Sequence, residues 1–148
     1  MIAARPLLLA AAWMSVAASL LHLTVIAGGP EWYRFFGAGE AMARAAERGS
    51  LVPPIMTVII AAILAVWAAI AFGAAGVIRL LPLTRTALIA IAAVLLARSA
   101  LVLVPQVWAP EQTMTFRIVS SAACFAMGLC FALGTWAAWD SLGPRSRT

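Results

Sequence analysis

A few polar side chains stand out in this apolar sequence because they could bind a ligand or balance a charge. The apolar stretch from Thr84 to Pro105 is interrupted once, by Arg98. A guanidinium stays charged, and placing it in a hydrocarbon layer costs at least ~2.5 kcal/mol. Arg98 therefore needs a partner, and a carboxylate, a lipid phosphate or an anionic ligand would each satisfy it.

The only histidine and three of the five acidic residues are predicted to lie on the same side of a membrane as Arg98. His22 comes five residues before the end of the first apolar run, and Arg98 six before the end of the third. At ~1.5 Å of rise per residue, both side chains lie ~8–9 Å below that surface. Glu40, Glu47 and Glu111 are in the connections on that side.

This shared depth predicts a one-sided polar pocket, whose ligand-binding residues are Arg98, His22, Glu40 and Glu111. Glu40 or Glu111 is the expected carboxylate partner of Arg98. Structural interpretations stay open: Arg98 would tie a loop to the helices or extend along lipid, and His22 would bond between helices. Proton transfer between His22 and Glu40, and haem ligation by His22, are further alternatives.

The sequence lacks the motifs of common catalytic and metal sites. No Asp or Glu lies inside an apolar run, which disfavours a proton-coupled exporter that uses a buried carboxylate. There is no Cys-x-x-Cys, no His-Glu-x-x-His and no glycine-rich phosphate loop. Cys124 and Cys130 are six residues apart on one predicted helix, about 9 Å, too far for a disulfide. We predict no catalytic residue, no metal and no cofactor.

Composition predicts that these side chains are positioned by membrane-spanning helices. Of 148 residues, 65% are apolar and 10% charged, and the mean hydropathy is +1.04, whereas a soluble domain is about half apolar and a quarter charged. Four runs have the ~20 residues that a spanning helix needs: 7–27, 52–73, 84–104 and 116–139. The predicted fold is all-α, a single domain (1–148) with four transmembrane helices in an antiparallel bundle. Cleavage of the first run as a signal peptide is the alternative.

The longest connection predicts an additional helix at the membrane surface. Residues 31–36 combine four aromatic side chains with Glu31 and Arg34, a mixture typical of the membrane–water interface. Residues 38–48 favour a short helix, because Glu40 and Arg44 are four residues apart in the favourable order. We expect this interfacial helix to lie on the bilayer or to cap the bundle.

Small residues recur along the last three runs and predict close helix contacts, within the chain or in a homo-oligomer or larger complex. They are Ala61, Ala65, Ala69 and Gly73; Ala90, Ala93, Ala97 and Ala100; and Ser120, Cys124, Gly128 and Ala132. Arginines near the spans number five on the amino-terminal side and four on the other. This distribution favours cytoplasmic N- and C-termini.

Several segments resemble a group of small four-span bacterial membrane proteins of unknown function. They are FGAGE at 36–40, residues 45–50, Pro53, and GVIRLLPLTR at 76–85. The resemblance covers about residues 28–105. It implies four spans and an inner-membrane location, and it lends no functional residues.

From the residues themselves we predict a small integral membrane protein that is non-enzymatic. It would be an accessory protein or would bind a lipid or a small anionic ligand in the one-sided pocket. The alternative is a subunit of an oligomeric small-molecule transporter or channel, and an enzyme is the third class. Membrane lipids are the expected partners. The ten arginines, which give a net charge of +5, are scattered and do not indicate nucleic-acid binding.

Overall fold

The computed structural model describes residues 4–108, 110 and 112–142, and these residues form helices and turns without a β-strand. Five α-helices are present among them: α1 (Ala4–Phe35), α2 (Glu40–Glu47), α3 (Val52–Ala74), α4 (Thr84–Ala100) and α5 (Met114–Ala137). Short 3₁₀ turns cover Leu101–Leu103, Pro105–Val107 and Trp139–Leu142.

Four of the helices are long and apolar enough to cross a membrane: α1, α3, α4 with the turn that follows it, and α5. This result confirms the predicted all-α class and the four long apolar helices. The short helix expected over 38–48 is present as α2. Its location at a membrane surface stays a prediction.

Proline and glycine set the local course of the chain at two places that matter for the sites. α1 is interrupted at Gly29, whose φ of 66° and ψ of −154° are not helical, and Pro30 follows directly. The aromatic segment therefore continues from α1 after a break in direction. Pro53 lies in the first turn of α3, where a missing N–H leaves no helical hydrogen bond unmade.

The core lies where α1 contacts α3 and α5, and where α4 contacts α5. Leu8, Leu88 and Phe131 are its largest fully buried apolar side chains apart from proline. A hydrogen bond also joins two helices, because the Ser19 hydroxyl donates to the carbonyl of Ala61 over 2.8 Å.

The prediction that the small residues of α4 make close contacts within the chain is wrong. Ala90, Ala93, Ala97 and Ala100 are all exposed, and the buried face carries Leu88, Ile91, Ala92, Leu95 and Ser99. The reason lies on α5, where Gly128 is buried and a Cβ at that position would lie 2.9 Å from the Leu96 side chain. A small residue on one helix receives large residues of the other, so α4 needs no small face of its own.

Candidate functional site

Arg98 lies in the last turn of α4 and stacks on the indole of Trp108 in the connection to α5. The Arg98 Cζ is 4.6 Å from the centroid of the ring. Trp108 is 9% exposed, and its Nε1 donates to the carbonyl of Leu101 over 2.8 Å, which fixes the ring. This is a cation–π contact with a largely desolvated aromatic face, a setting in which such contacts are strongest.

One hydrogen-bond donor of Arg98 has no acceptor among the described residues. Its Nη1 is buried and has no hydrogen-bond partner within the part of the chain that the structure describes. Buried donors in proteins are almost always paired, and an unpaired one that carries charge is costly. An acceptor that reached Nη1 of Arg98 would remove this cost.

A second arginine approaches the same indole from α5. The Cζ of Arg117 is 6.0 Å from the Trp108 centroid, and its Nε donates to the carbonyl of Gln112 over 3.1 Å. Phe116 packs edge-on against Trp108 with the ring centroids 6.5 Å apart. We call Arg98, Trp108, Phe116 and Arg117 the Trp108 cluster. It concentrates two positive charges and an aromatic surface at one end of the helices.

The connection between α1 and α2 covers part of this cluster. The side-chain amide of Gln112 donates to the carbonyl of Gly37. Gly37 has a φ of 70°, and a Cβ there would overlap the ring of Phe116, with its nearest atom 2.3 Å away. Glycine is thus required at this position both by conformation and by space.

Glu40 pairs with two arginines near its own helix. Arg34 donates to it from Nε over 2.9 Å and from Nη2 over 3.2 Å, and Nε of Arg44 donates over 2.9 Å. The hydrogen bonds from Arg34, and after them those from Arg44, lower the pKa of Glu40 to about 2. The expected pairing of Glu40 with Arg98 is not what the structure shows, because the tail of α1 after Gly29 brings Arg34 to Glu40.

Arg34 also holds two further carboxylates and so attaches α2 to α1. Its Nη1 donates to Glu31 over 2.8 Å and its Nη2 to Glu47 over 2.6 Å. The Arg34 side chain is 30% exposed, so solvent screens these ion pairs only in part. A depression of about 190 Å³ lies between this group and Gln112. Arg34 and its three glutamates therefore form one group of ion pairs.

Of the two other predicted ligand-binding residues, His22 lies within the described part of the chain and contacts neither group there. Nδ1 of His22 donates to the carbonyl of Ala18, one turn earlier in α1, over 2.7 Å. No hydrogen bond or ion pair between described residues connects His22 with Arg98 or Glu40. Glu111 lies outside the described residues, so its expected pairing with Arg98 stays a prediction.

Sequence reasoning missed Trp108 and Arg117 as members of the site, although both were visible in the sequence. Trp108 lies in the polar connection between the third and fourth apolar runs, and Arg117 lies at the start of the fourth run. A search for aromatic and basic residues in the connection that follows Arg98 and in the first turn after it would have found both. Among the described residues, no group of three or more His, Cys, Asp or Glu side chains could hold a metal ion.

The fold and the site define an all-helical protein that has four long apolar helices and two charged groups at one end. A scan against protein-family models, a search of the curated proteins and a search of the solved structures each find no match. The resemblance to small four-span bacterial membrane proteins therefore stays a prediction, and the function is argued from the Trp108 cluster.

Proposed function

We propose that this chain is a non-enzymatic integral protein of the bacterial inner membrane that binds the phosphate of an anionic lipid, or a similar small anion, at the Trp108 cluster. The observation that carries the proposal is the buried Nη1 of Arg98, which has no partner among the described residues and belongs to a guanidinium on the same indole that Arg117 approaches.

The outward surface supports an environment of lipid. Many large apolar side chains are half exposed or more, among them Leu20, Val94 and Val119 at 56%, 55% and 62%. Soluble monomers rarely expose a continuous apolar surface of this extent. In a bilayer the four long helices would form an antiparallel bundle, with α2 at the interface and both termini in the cytoplasm.

Distances along α4 explain why Arg98 would need a counter-ion in that setting. Arg85, near the start of α4, stacks on Trp139 with its Cζ 4.6 Å from the ring centroid. Residues 85 and 98 are 13 apart in one helix, a rise of about 20 Å, whereas the hydrocarbon core is about 30 Å thick. With Arg85 at one interface, Arg98 lies about 10 Å short of the other.

A phosphate group fits the donors that this position offers. A guanidinium binds phosphate through two parallel N–H···O hydrogen bonds, and these charge-assisted bonds are about twice as strong as neutral ones. Arg117 adds a second positive charge at the same ring, and Trp108 supplies an indole of the kind that lies at headgroup level. The alternative of an oligomeric transporter or channel subunit gains no specific support from the described residues.

Native mass spectrometry of the detergent-purified protein tests the proposal. We expect the wild type to retain phosphatidylglycerol and Arg98→Leu to retain at least tenfold less, because a hydrogen bond to a charged group contributes about 1.5–3 kcal/mol. Arg48→Leu is the matched control: it removes an exposed arginine on the same side, and lipid retention should not change.

Inorganic phosphate added in place of lipid distinguishes a headgroup site from a site for a free anion. Arg98→Lys serves if the leucine variant does not fold, since lysine keeps the charge but loses the paired donors. Equal lipid retention in wild type and both Arg98 variants would overturn the proposal and leave Arg98 a structural residue.

A further inference from the structure

A second depression, wider open to the surface than the first, lies at the break in α1, and none of its lining residues belongs to the Trp108 cluster. It has a volume of about 200 Å³ and lies between the broken helix, the end of α2 and the first turn of α3. Its lining residues are Ile26, Gly29, Pro30, Tyr33, Ala46, Gly49, Ser50 and Pro54. We call it the Tyr33 cavity.

The hydroxyl of Tyr33 is the first feature that indicates a ligand. Tyr33 is 3% exposed, and its Oη is buried without a hydrogen-bond partner among the described residues. The ring packs with Val25 and Ala43, which a phenylalanine would do equally well. A buried hydroxyl that pairs with nothing destabilises the fold relative to phenylalanine, so a ligand that pairs with it would remove that cost.

The prolines of the wall are the second feature, and they favour a ligand that donates hydrogen bonds. Pro30 and Pro54 have no N–H to donate to the carbonyls of Ile26 and Ser50, each four residues earlier, and all four residues line the cavity. These two carbonyls are therefore acceptors without a helical N–H partner, and the hydroxyls of Tyr33 and Ser50 are the side-chain polar groups among the eight lining residues.

The helix ends at the cavity also favour a ligand that carries positive charge. The long part of α1 ends at the break and α2 ends at Glu47, and helix C-termini carry partial negative charge. α3 and the segment of α1 after Gly29 begin here as well, but prolines in their first turns, Pro53 and Pro54 in α3 and Pro30 in α1, remove N–H groups through which helix N-termini hold anions. None of the eight lining residues is basic.

The cavity also has room for a small group beside its backbone. A Cβ placed on Gly29 or on Gly49 would meet no atom within 4 Å. One water occupies about 30 Å³ of liquid, so 200 Å³ corresponds to roughly seven waters. That volume accommodates a two-carbon amine.

We propose that the Tyr33 cavity binds a primary ammonium group, carried by an aminophospholipid headgroup or by a small free amine. The three N–H donors of such a group match three acceptors, the Tyr33 hydroxyl oxygen and the carbonyls of Ile26 and Ser50. Unwound helical carbonyls bind cations in the same way in transporters. This site is independent of anion binding at the Trp108 cluster.

Thermal unfolding in detergent with short-chain lipids tests this proposal. Short-chain phosphatidylethanolamine should raise the Tm of the wild type, whereas phosphatidylcholine with the same chains should not, because its trimethylammonium group has no N–H. Tyr33→Phe should require at least a tenfold higher concentration of phosphatidylethanolamine for the same rise in Tm. Without ligand, this variant should be at least as stable as the wild type.

Thr24→Val is the matched control, because Thr24 is an exposed residue of the same helix whose hydroxyl donates to its own backbone at Leu21. Ala46→Leu fills the cavity from α2 and replaces Tyr33→Phe if that variant does not fold. Stabilisation by ethanolamine alone identifies the amine as sufficient, and stabilisation by the lipid only identifies the lipid as the ligand.

Two outcomes would overturn the proposal: an equal response of the wild type to both lipids, or an unchanged response in both cavity variants. Arg98→Leu should keep its response to phosphatidylethanolamine, so a failure of anion binding at the Trp108 cluster is distinguishable from a failure here.

Discussion

At the scale of the residue, arginine carries most of the polar structure of this protein, which has no lysine. Arg85 and Arg98 each stack on a tryptophan, both with 4.6 Å between Cζ and the ring centroid. Arg34 instead holds three carboxylates. A planar guanidinium with five donors can do either, whereas a lysine ammonium has neither the flat face nor the paired donors.

Glu40 leads to a prediction about pH. Its pKa is about 2, below the ordinary 4.5, because Arg34 and then Arg44 hydrogen-bond to its ionised form. A depressed pKa means that the stabilising contribution is complete above about pH 4.5 and is lost as the pH falls toward 2. We expect α2 to stay attached to α1 down to about pH 4.5 and to loosen below it. A nitroxide at Ala41→Cys, read by electron paramagnetic resonance, measures this.

Both native cysteines are replaced by alanine in this experiment, and a label at the exposed Val119 of α5 is the control for general unfolding. Glu40→Gln should loosen α2 at neutral pH and remove most of the pH dependence. Mobility at residue 41 that rises between pH 7 and 5, or stays low at pH 2, would contradict the role given to Glu40.

At the scale of the element, the contact between α4 and α5 depends on one glycine. A Cβ at Gly128 would lie 2.9 Å from Cγ and Cδ2 of Leu96 and 3.3 Å from Cβ of Leu95. Gly134 has the same function toward α1, where a Cβ would lie 3.0 Å from two atoms of the Leu8 side chain. α5 therefore supplies the small residues for two of its neighbours.

We expect Gly128→Val to destabilise the protein by about 1–3 kcal/mol, because the added side chain overpacks a filled contact. Ala126→Val, at an exposed position of the same helix, places the same side chain away from α4 and is the control. Equilibrium unfolding in mixed detergent micelles measures the difference. Similar free energies of unfolding for the two variants would show that the α4–α5 contact tolerates an added side chain at position 128.

At the scale of the whole molecule, contacts between distant residues occur at both ends of the long helices. The bond from Gln112 to Gly37 brings together the connections that follow α1 and α4. Arg85 and Trp139 meet at the start of α4 and the end of α5. If the four long helices cross a membrane, these two groups of residues lie on opposite sides of it.

Cysteine labelling tests this arrangement. In a chain without its native cysteines, Arg48→Cys should react with a membrane-impermeant maleimide in intact spheroplasts. Arg79→Cys should react only after permeabilisation, and Leu88→Cys, which is fully buried, not at all. Reaction of both arginine positions from one side would refute the proposed topology, and the reversed pattern would refute only the orientation.

The sequence alone was enough to predict the elements, because their signals are local. Run length and hydropathy predicted four long apolar helices, and the i, i+4 pair of Glu40 and Arg44 predicted α2, which the structure places at Glu40–Glu47. Arg98 was recognisable as the residue that needs a partner, because a charge in an apolar run is costly whatever surrounds it.

Only the tertiary structure decided which side chains meet. The break at Gly29 directs Arg34 to Glu40, and the turns after α4 bring Trp108 under Arg98 and beside Arg117. The buried face of α4 could not be predicted either, because it depends on packing against Gly128 of α5. Helical periodicity states which residues share a face, but the partner of that face follows from loop geometry and from packing between distant segments.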